Sequence, residues 1–88
     1  ALMAPSGFSL QNGFTSGAQN ESLLKRAVMK KAAKVVMLMD SSKIGRSLPF
    51  TFATLADIDM LITESPLPPD VAAEAKACGV ELVVAQEQ

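Results

Sequence analysis

The fold class follows from one stretch of this chain, Lys34-Val35-Val36-Met37-Leu38-Met39-Asp40-Ser41-Ser42-Lys43-Ile44-Gly45. Its apolar run, Val35–Met39, has no polar alternation, which is typical of a strand buried on both faces of a parallel sheet. Asp40 follows the run directly, and Lys43 follows soon after. Because open α/β sheets bind ligands outside the carboxyl ends of their strands, Asp40 and Lys43 are candidate ligand-binding residues. The simpler interpretation is a strand followed by a polar turn.

The composition limits the class of protein. The 88 residues make at most one small domain, and 49% hydrophobic with 19% charged residues is typical of a globular chain. The net charge of −1 argues against a free-standing nucleic-acid-binding protein. Histidine is absent from the sequence, so no zinc site or histidine-based triad is predicted, and we expect neither a metal nor a cofactor. The single cysteine, Cys78, excludes an internal disulfide and suits the cytoplasm.

The first residues suggest a piece of a longer chain. Ala1–Ala4 resembles the end of a buried strand, and Pro5 and Gly7 then break the pattern. We therefore expect a partial domain, with further sequence before Ala1.

The next segments predict a loop and a helix. Phe8–Gly17 is expected to be a loop, because its glycines lie among Ser, Gln, Asn and Thr. A helix is expected from about Asn20 to Ala33, with Asn20 as its N-cap. The apolar residues of this helix are spaced for one buried face, and they are Leu23, Leu24, Ala27, Val28 and Ala32.

The second half continues the alternation. Pro49 limits Leu48–Ala53 to an edge or irregular strand. A short strand is predicted at Met60–Thr63 and a last strand at Val80–Val84, with a helix over residues 69–78 between them. This order favours an α/β fold, a Rossmann-like parallel sheet with flanking helices.

Basic residues and a glycine-containing turn offer weaker signals. Five of the eight basic residues lie between Lys25 and Lys34, and such a run is more often the solvated face of a helix than a phosphate-binding patch. Lys25 lies near the loop that contains Gly13 and Thr15, so it could point toward a ligand cleft. A turn before a helix N-terminus can bind anions, although this one matches neither the Walker pattern nor the dinucleotide fingerprint.

Five segments together resemble a known family, and they are Gly13–Thr15, Glu21–Met29, Asp40–Gly45, Ile58–Thr63 and Gly79–Val84. Their order and spacing resemble the C-terminal effector domain of DeoR-family bacterial transcription regulators. Members carry an N-terminal winged helix-turn-helix followed by a sensor domain that usually binds a phosphorylated sugar or related metabolite. The sensor fold is similar to that of ribose-5-phosphate isomerase, glucosamine-6-phosphate deaminase and coenzyme A transferases. Glu64 stands where the family commonly has an aspartate.

The resemblance implies that residues 1–88 are the C-terminal part of a sensor domain in a cytoplasmic regulator of carbohydrate metabolism, expected to be a repressor. Operator DNA would be bound only through the N-terminal domain, which this chain lacks. No catalytic residue is assigned. The implied effector-binding residues are Asp40, Lys43, Lys25, Gly13 and Thr15.

Two other functions are left open by the residues. One is an enzyme of the related isomerase, deaminase or transferase group, with Asp40 as general base. The other is a structural role in which Leu48, Phe50 and Phe52 pair subunits. A homo-oligomer is expected for the sensor domain and for either alternative, because an incomplete sheet exposes an edge and apolar surface.

Overall fold

The computed structural model describes residues 1–85, which form two sheets and two α-helices. The elements follow in the order β1 (Leu2–Met3), β2 (Gly7–Ser9), β3 (Gly13–Ser16), α1 (Gln19–Lys31), β4 (Val36–Leu38), β5 (Phe50–Ala53), β6 (Met60–Thr63), α2 (Pro69–Ala77) and β7 (Glu81–Val84). Short 3-10 turns at Ser41–Lys43 and Leu55–Asp57 follow β4 and β5. No helix within these 85 residues has the length and apolar character needed to cross a membrane.

Four strands form a parallel sheet in the order β1-β4-β6-β7. Met37 in β4 pairs with Met3 in β1 and with Leu61 in β6. Leu61 in turn pairs with Leu82 in β7, so the three predicted strands are parallel neighbours. The prediction of an α/β fold with a parallel sheet is confirmed.

Within residues 1–85, one face of this sheet is covered and the other is not. Met37 is fully buried, whereas Leu38 beside it is 46% exposed and Leu2 on β1 is 67% exposed. The covered face shares one hydrophobic core with the second sheet, through Phe14, and with α2, through Val71. The expectation that β4 is buried on both faces is therefore wrong, because the described residues place their covering elements on the Met37 side.

The second sheet is antiparallel, with the order β2-β3-β5. The predicted loop over Phe8–Gly17 is wrong, since this segment forms the β2–β3 hairpin. Phe8 pairs with Phe14 across the hairpin, and their ring centroids lie 4.8 Å apart. Gly13 has a φ of 73°, a conformation that glycine adopts readily and that closes the turn. The glycines thus serve a hairpin and not an irregular loop.

The predicted edge strand over Leu48–Ala53 is confirmed as β5, which lies at one end of the second sheet. Phe52 on this strand is only 3% exposed and belongs to the core. Its ring lies 6.5 Å from that of Phe14. Phe52 is therefore committed to intramolecular packing, which contradicts its predicted role in pairing subunits.

Helix α1 departs from its prediction. Its N-cap is Ala18 and not Asn20, and it ends at Lys31, before the predicted Ala33. Of the predicted apolar face, Ala32 packs beside the core, whereas the other four residues are exposed, and they are Leu23, Leu24, Ala27 and Val28. Ser22, which was not predicted to face inward, is buried. The physical reason is a pair of hydrogen bonds to β5, in which Ser22 Oγ and Arg26 Nη2 both donate to the Thr51 carbonyl, at 3.3 and 2.7 Å.

Helix α2 agrees with its prediction. It begins at Pro69, which occupies the first helical position. Val71 and Ala75 are buried against the core, and Cys78 is half-buried beside them. Gly79 follows the helix with a φ of 78°, as expected of a residue that ends a helix.

Candidate functional site

The carboxyl ends of neighbouring parallel strands meet at one edge of the sheet. Ala4 follows β1, Asp40 lies just beyond β4, and Glu64 follows β6. This edge, from Ala4 through Asp40 to Glu64, is called the strand-end edge below. It is the position at which open α/β sheets bind ligands.

Asp40 closes the turn that follows β4. It is the N-cap of the 3-10 turn Ser41–Lys43, and its Oδ1 accepts hydrogen bonds from Ser42 N, at 3.0 Å, and from Ser42 Oγ. The hydrogen bond from the Ser42 hydroxyl is the main cause of the lowered pKa of the exposed Asp40 carboxyl. Desolvation raises this pKa, whereas the Ser42 amide and the positive charges of Lys43 and Arg46 lower it further. Asp40 is therefore an ionised acceptor at neutral pH.

Glu64 joins the ends of β4 and β6. Its carboxylate accepts a hydrogen bond from Ser41 N at 2.8 Å and one from Ser41 Oγ at 3.3 Å. The sequence drew attention to Glu64 only as a departure from a family pattern. Glu64 directly follows β6, and β6 is parallel to β4, the strand that precedes Asp40. This shared position at a strand end was the signal that could have identified Glu64.

Two basic residues, Lys43 and Arg46, follow Asp40 in the chain. Lys43 ends the 3-10 turn, and the Arg46 amide donates to the Lys43 carbonyl at 3.3 Å. The positive charges of both residues act on the Asp40 carboxylate. Arg46 was not predicted as a site residue, although a basic side chain three residues after Lys43 was a usable signal.

The turn rests on β2. The Gly45 amide donates to the Phe8 carbonyl at 2.7 Å. A Cβ at Gly7 would lie 2.5 Å from the Arg46 carbonyl oxygen, so the absence of a side chain there permits the close approach. The hairpin thus supports the turn and the two basic residues, Lys43 and Arg46.

Lys25 lies at the strand-end edge but is engaged within the chain. Its Nζ donates to the Ala4 carbonyl at 2.8 Å and forms an ion pair with Glu21 at 3.1 Å. It also lies 4.7 Å from the centroid of the Phe52 ring, a cation–π distance. Lys25 therefore holds α1 against the end of β1.

Gly13 and Thr15 lie within the second sheet. Thr15 is fully buried, and its Oγ1 accepts a hydrogen bond from Leu48 N at 3.1 Å. Gly13 is packed against the Ala53 carbonyl. Both contacts are structural, so an effector-binding role for these two residues stays a prediction that their observed environment does not favour.

The larger cavities do not coincide with this site. One of about 400 Å³ lies between α1 and β5, and one of about 420 Å³ lies between the β2–β3 turn and α2. A smaller cavity of about 230 Å³ is lined by Ile44 and Gly45 and adjoins the turn. We place the candidate site by the strand-end edge, because charge and hydrogen-bonding groups converge there and shape alone does not identify chemistry.

The arrangement is suited to a hydroxylated anion. The Asp40 bonds to Ser42 both use Oδ1, which leaves Oδ2 to accept a hydrogen bond from a hydroxyl. Lys43 in the turn and Arg46 shortly after it supply positive charge, and cations of this kind bind phosphate through charge-assisted hydrogen bonds.

Comparison with known proteins identifies the family. Residues 1–65 match the model of the DeoR C terminal sensor domain. The chain is 35% identical over 82 residues to the HTH-type transcriptional regulator GlpR of Haloferax volcanii, covering 93% of the chain and 32% of that protein. It is 33% identical over 88 residues to the HTH-type transcriptional repressor GlcR of Bacillus subtilis, covering 99% of the chain and 33% of that protein.

A third relative is the putative aga operon transcriptional repressor of Escherichia coli O157:H7, which is 28% identical over 78 residues, 89% of the chain and 29% of that protein. The chain spans about a third of the length of these relatives. The match of the sensor-domain model to most of the chain agrees with the parallel sheet and its strand-end edge. This chain belongs to the DeoR C-terminal sensor domain family.

Proposed function

We propose that this chain is the effector-sensing part of a cytoplasmic, DNA-binding transcription regulator of carbohydrate metabolism, and that its effector is a phosphorylated sugar. The observation that carries the proposal is the position of Asp40 at the carboxyl end of β4, with Lys43 in the turn that follows, in a DeoR-type sensor domain. Residues 1–88 would be the C-terminal part of that domain. A separate helix-turn-helix domain of the parent protein would bind operator DNA.

The geometry suggests how the effector is held. Asp40 Oδ2 would accept a hydrogen bond from a sugar hydroxyl, and Lys43 and Arg46 would attract the phosphate. Glu64 keeps the turn in place through Ser41. An effector that binds one conformation of the sensor more tightly would shift the equilibrium of the attached DNA-binding domain by that difference in affinity.

The chemistry at Asp40 favours sensing over catalysis. A general base acts best when its pKa lies near the working pH. The hydrogen bonds from Ser42 lower the pKa of Asp40, away from that range. The three relatives described above are named as transcriptional regulators or repressors, and a regulatory role for this chain is the proposal that agrees with their names.

Isothermal titration calorimetry on a parent regulator that carries this chain tests the proposal. The probes are ribose 5-phosphate, fructose 6-phosphate and glucose 6-phosphate, with inorganic phosphate for the charge alone. Asp40→Ala and Lys43→Ala should each weaken the affinity for the effective probe by about ten- to a hundredfold, the value of one charged hydrogen bond.

Lys31→Ala is the matched control, because Lys31 is exposed on α1. Operator binding without effector should be unchanged in all three variants when measured by fluorescence anisotropy. Equal effector affinities in wild type, Asp40→Ala and Lys43→Ala would show that the strand-end turn is not the effector site.

A further inference from the structure

The cavity of about 400 Å³ between α1 and β5 has a lining that is apolar on one part and charged on another. Phe52 and Ala53 on β5 are buried, and Met29 on α1 packs beside the core. Two basic residues of α1, Arg26 and Lys30, complete this side of the cavity. Small-molecule sites are usually concave and apolar with a few polar groups, and this cavity has that form.

Arg26 is held at the cavity by a hydrogen bond to β5. Its Nη2 donates to the Thr51 carbonyl at 2.7 Å, and Thr51 also lines the cavity. The guanidinium has further N–H groups, so this bond leaves donors for a ligand. Because one end of the guanidinium is already fixed, an anion bonded to the rest of it immobilises less side chain than it would on a free surface arginine.

Lys30 follows Arg26 by four residues, so the two cations lie on the same side of α1. Like charges at this spacing repel one another and destabilise a helix. Neither residue forms an ion pair with a carboxylate of residues 1–85. An anion bound between the two cations would replace this repulsion by two attractions.

Asp57 also lines the cavity, but its carboxylate is engaged by Thr54. Its Oδ2 accepts hydrogen bonds from Thr54 N at 2.8 Å and from Thr54 Oγ1 at 3.0 Å, in the capping box of the 3-10 turn Leu55–Asp57. Two basic residues and one acidic residue leave the lining with a net positive charge. The anionic end of a ligand is therefore favoured on the α1 side, away from Asp57.

We propose that the cavity between α1 and β5 binds a small organic anion, a molecule with one carboxylate or phosphate group on an apolar body. Arg26 and Lys30 bind the anionic group, and the body lies against Met29 and Phe52. Carboxylate and phosphate share this chemistry, because the guanidinium fork matches the oxygens of both.

The proposal divides the basic run of α1 into two parts. Arg26 and Lys30 line the cavity, whereas Lys31 lies outside its lining and is exposed on the same helix. The two cavity residues therefore have a binding role, and Lys31 belongs to the solvated face. Lys31 is thus a matched control for Lys30, since both are exposed lysines in the last turn of α1.

Isothermal titration calorimetry on a parent regulator that carries this chain tests the site. The probes are phenyl phosphate and benzoate, which share an apolar ring and differ in the anionic group. Inorganic phosphate supplies the charge alone, and benzyl alcohol supplies the ring alone. At least one of the first two probes should bind at least about tenfold more tightly than either of the last two. The proposal is overturned if neither phenyl phosphate nor benzoate binds at concentrations up to about 10 mM, as when another segment of the parent fills the cavity.

Lys30→Ala tests the assignment of the anionic group. Lys30 is exposed and has no ion pair within residues 1–85, so the variant should keep its fold, which circular dichroism checks. It should weaken the tighter probe by about tenfold, the value of one charged hydrogen bond, and Lys31→Ala should not change the affinity. Equal affinities in wild type and Lys30→Ala contradict the proposal.

Lys43→Ala separates this cavity from the strand-end edge. It should leave the affinity for phenyl phosphate or benzoate unchanged, and Lys30→Ala should leave the affinity for a sugar phosphate unchanged. Binding of the ring probes that is weakened by Lys43→Ala and not by Lys30→Ala would place the anion at the strand-end edge and overturn the cavity site. The cavity site and the proposed function can therefore fail separately.

Discussion

The Ser41 amide lies 2.8 Å from a carboxylate oxygen of Glu64, a contact that joins the turn after β4 to the end of β6. The Ser41 hydroxyl donates to the other oxygen of the same carboxylate at 3.3 Å. One side chain thus satisfies two donors of the turn that carries Asp40. Glu64 contributes to the site by fixing the position of its neighbour across the sheet.

Glu64→Ala should loosen the turn without unfolding the chain. The Ser41 amide loses its acceptor but can bond to water, because the turn is exposed. We expect faster hydrogen exchange at this amide by NMR and a loss of unfolding free energy below about 1 kcal/mol. Glu64→Gln, which keeps an acceptor oxygen, is the control. Equal exchange rates in wild type and Glu64→Ala would contradict the contact.

Ser42→Ala should raise the pKa of Asp40, because the Ser42 hydroxyl is the largest cause of its lowering. The pKa is measured by NMR titration of the Asp40 carboxyl carbon, and Ser47→Ala, an exposed serine, is the control. A lowered carboxyl pKa stabilises the folded state above the pKa of the unfolded chain, and that contribution is lost as pH falls through the folded-state value. The wild-type contribution should therefore be constant at neutral pH and lost below about pH 4. An Asp40 titration midpoint that is the same in wild type and Ser42→Ala would contradict this assignment.

Gly13→Ala should destabilise the chain more than Gly45→Ala. Both glycines have positive φ, 73° and 88°, so either substitution introduces backbone strain of about 1–2 kcal/mol. A Cβ at Gly45 meets open space, whereas a Cβ at Gly13 would clash with the Ala53 carbonyl. The clash should add about 1–3 kcal/mol, measured by urea unfolding. Equal losses in the two variants would show that the hairpin turn can move away from β5.

Lys25→Ala should act on stability. It removes the bond to Ala4, the ion pair with Glu21 and the cation–π contact with Phe52. Together these predict a loss of about 1–2 kcal/mol in the unfolding free energy. Lys31→Ala on the same helix should change it by less than about 0.5 kcal/mol. If Lys25→Ala is as stable as Lys31→Ala, Lys25 does not hold α1 in place.

The parallel sheet could be predicted because its signals are local. Val35–Met39 is an uninterrupted apolar run, and Met60–Thr63 is bounded by polar residues, so length and composition were sufficient to place both strands. The start of α2 at Pro69 followed from the missing amide of proline. Asp40 and Lys43 could be placed at a strand end for the same reason, although the sequence could not show that Ser42 bonds to Asp40.

The wrong predictions for α1 and for the β2–β3 segment have a common cause. In both, contacts with residues that the local pattern does not show decide the structure. The spacing of Leu23, Leu24 and Val28 describes an apolar face correctly, but helical periodicity does not say what the face meets. The side of α1 that turns inward is set by hydrogen bonds from Ser22 and Arg26 to a strand much later in the chain. Likewise the β2–β3 hairpin depends on the pairing of Phe8 with Phe14, which the polar residues between them conceal.

The order β1-β4-β6-β7 means that the sheet grows in a single direction as the chain proceeds. Connections between parallel strands are almost always right-handed, so winding in one direction puts each connection on the same side of the sheet. A strand added to the free edge of β1 and wound in the opposite sense would carry its connection across the other side, over Leu2 and Leu38. The bare face of the sheet is therefore a property of the handedness of its winding, and no substitution on that face alone would cover it.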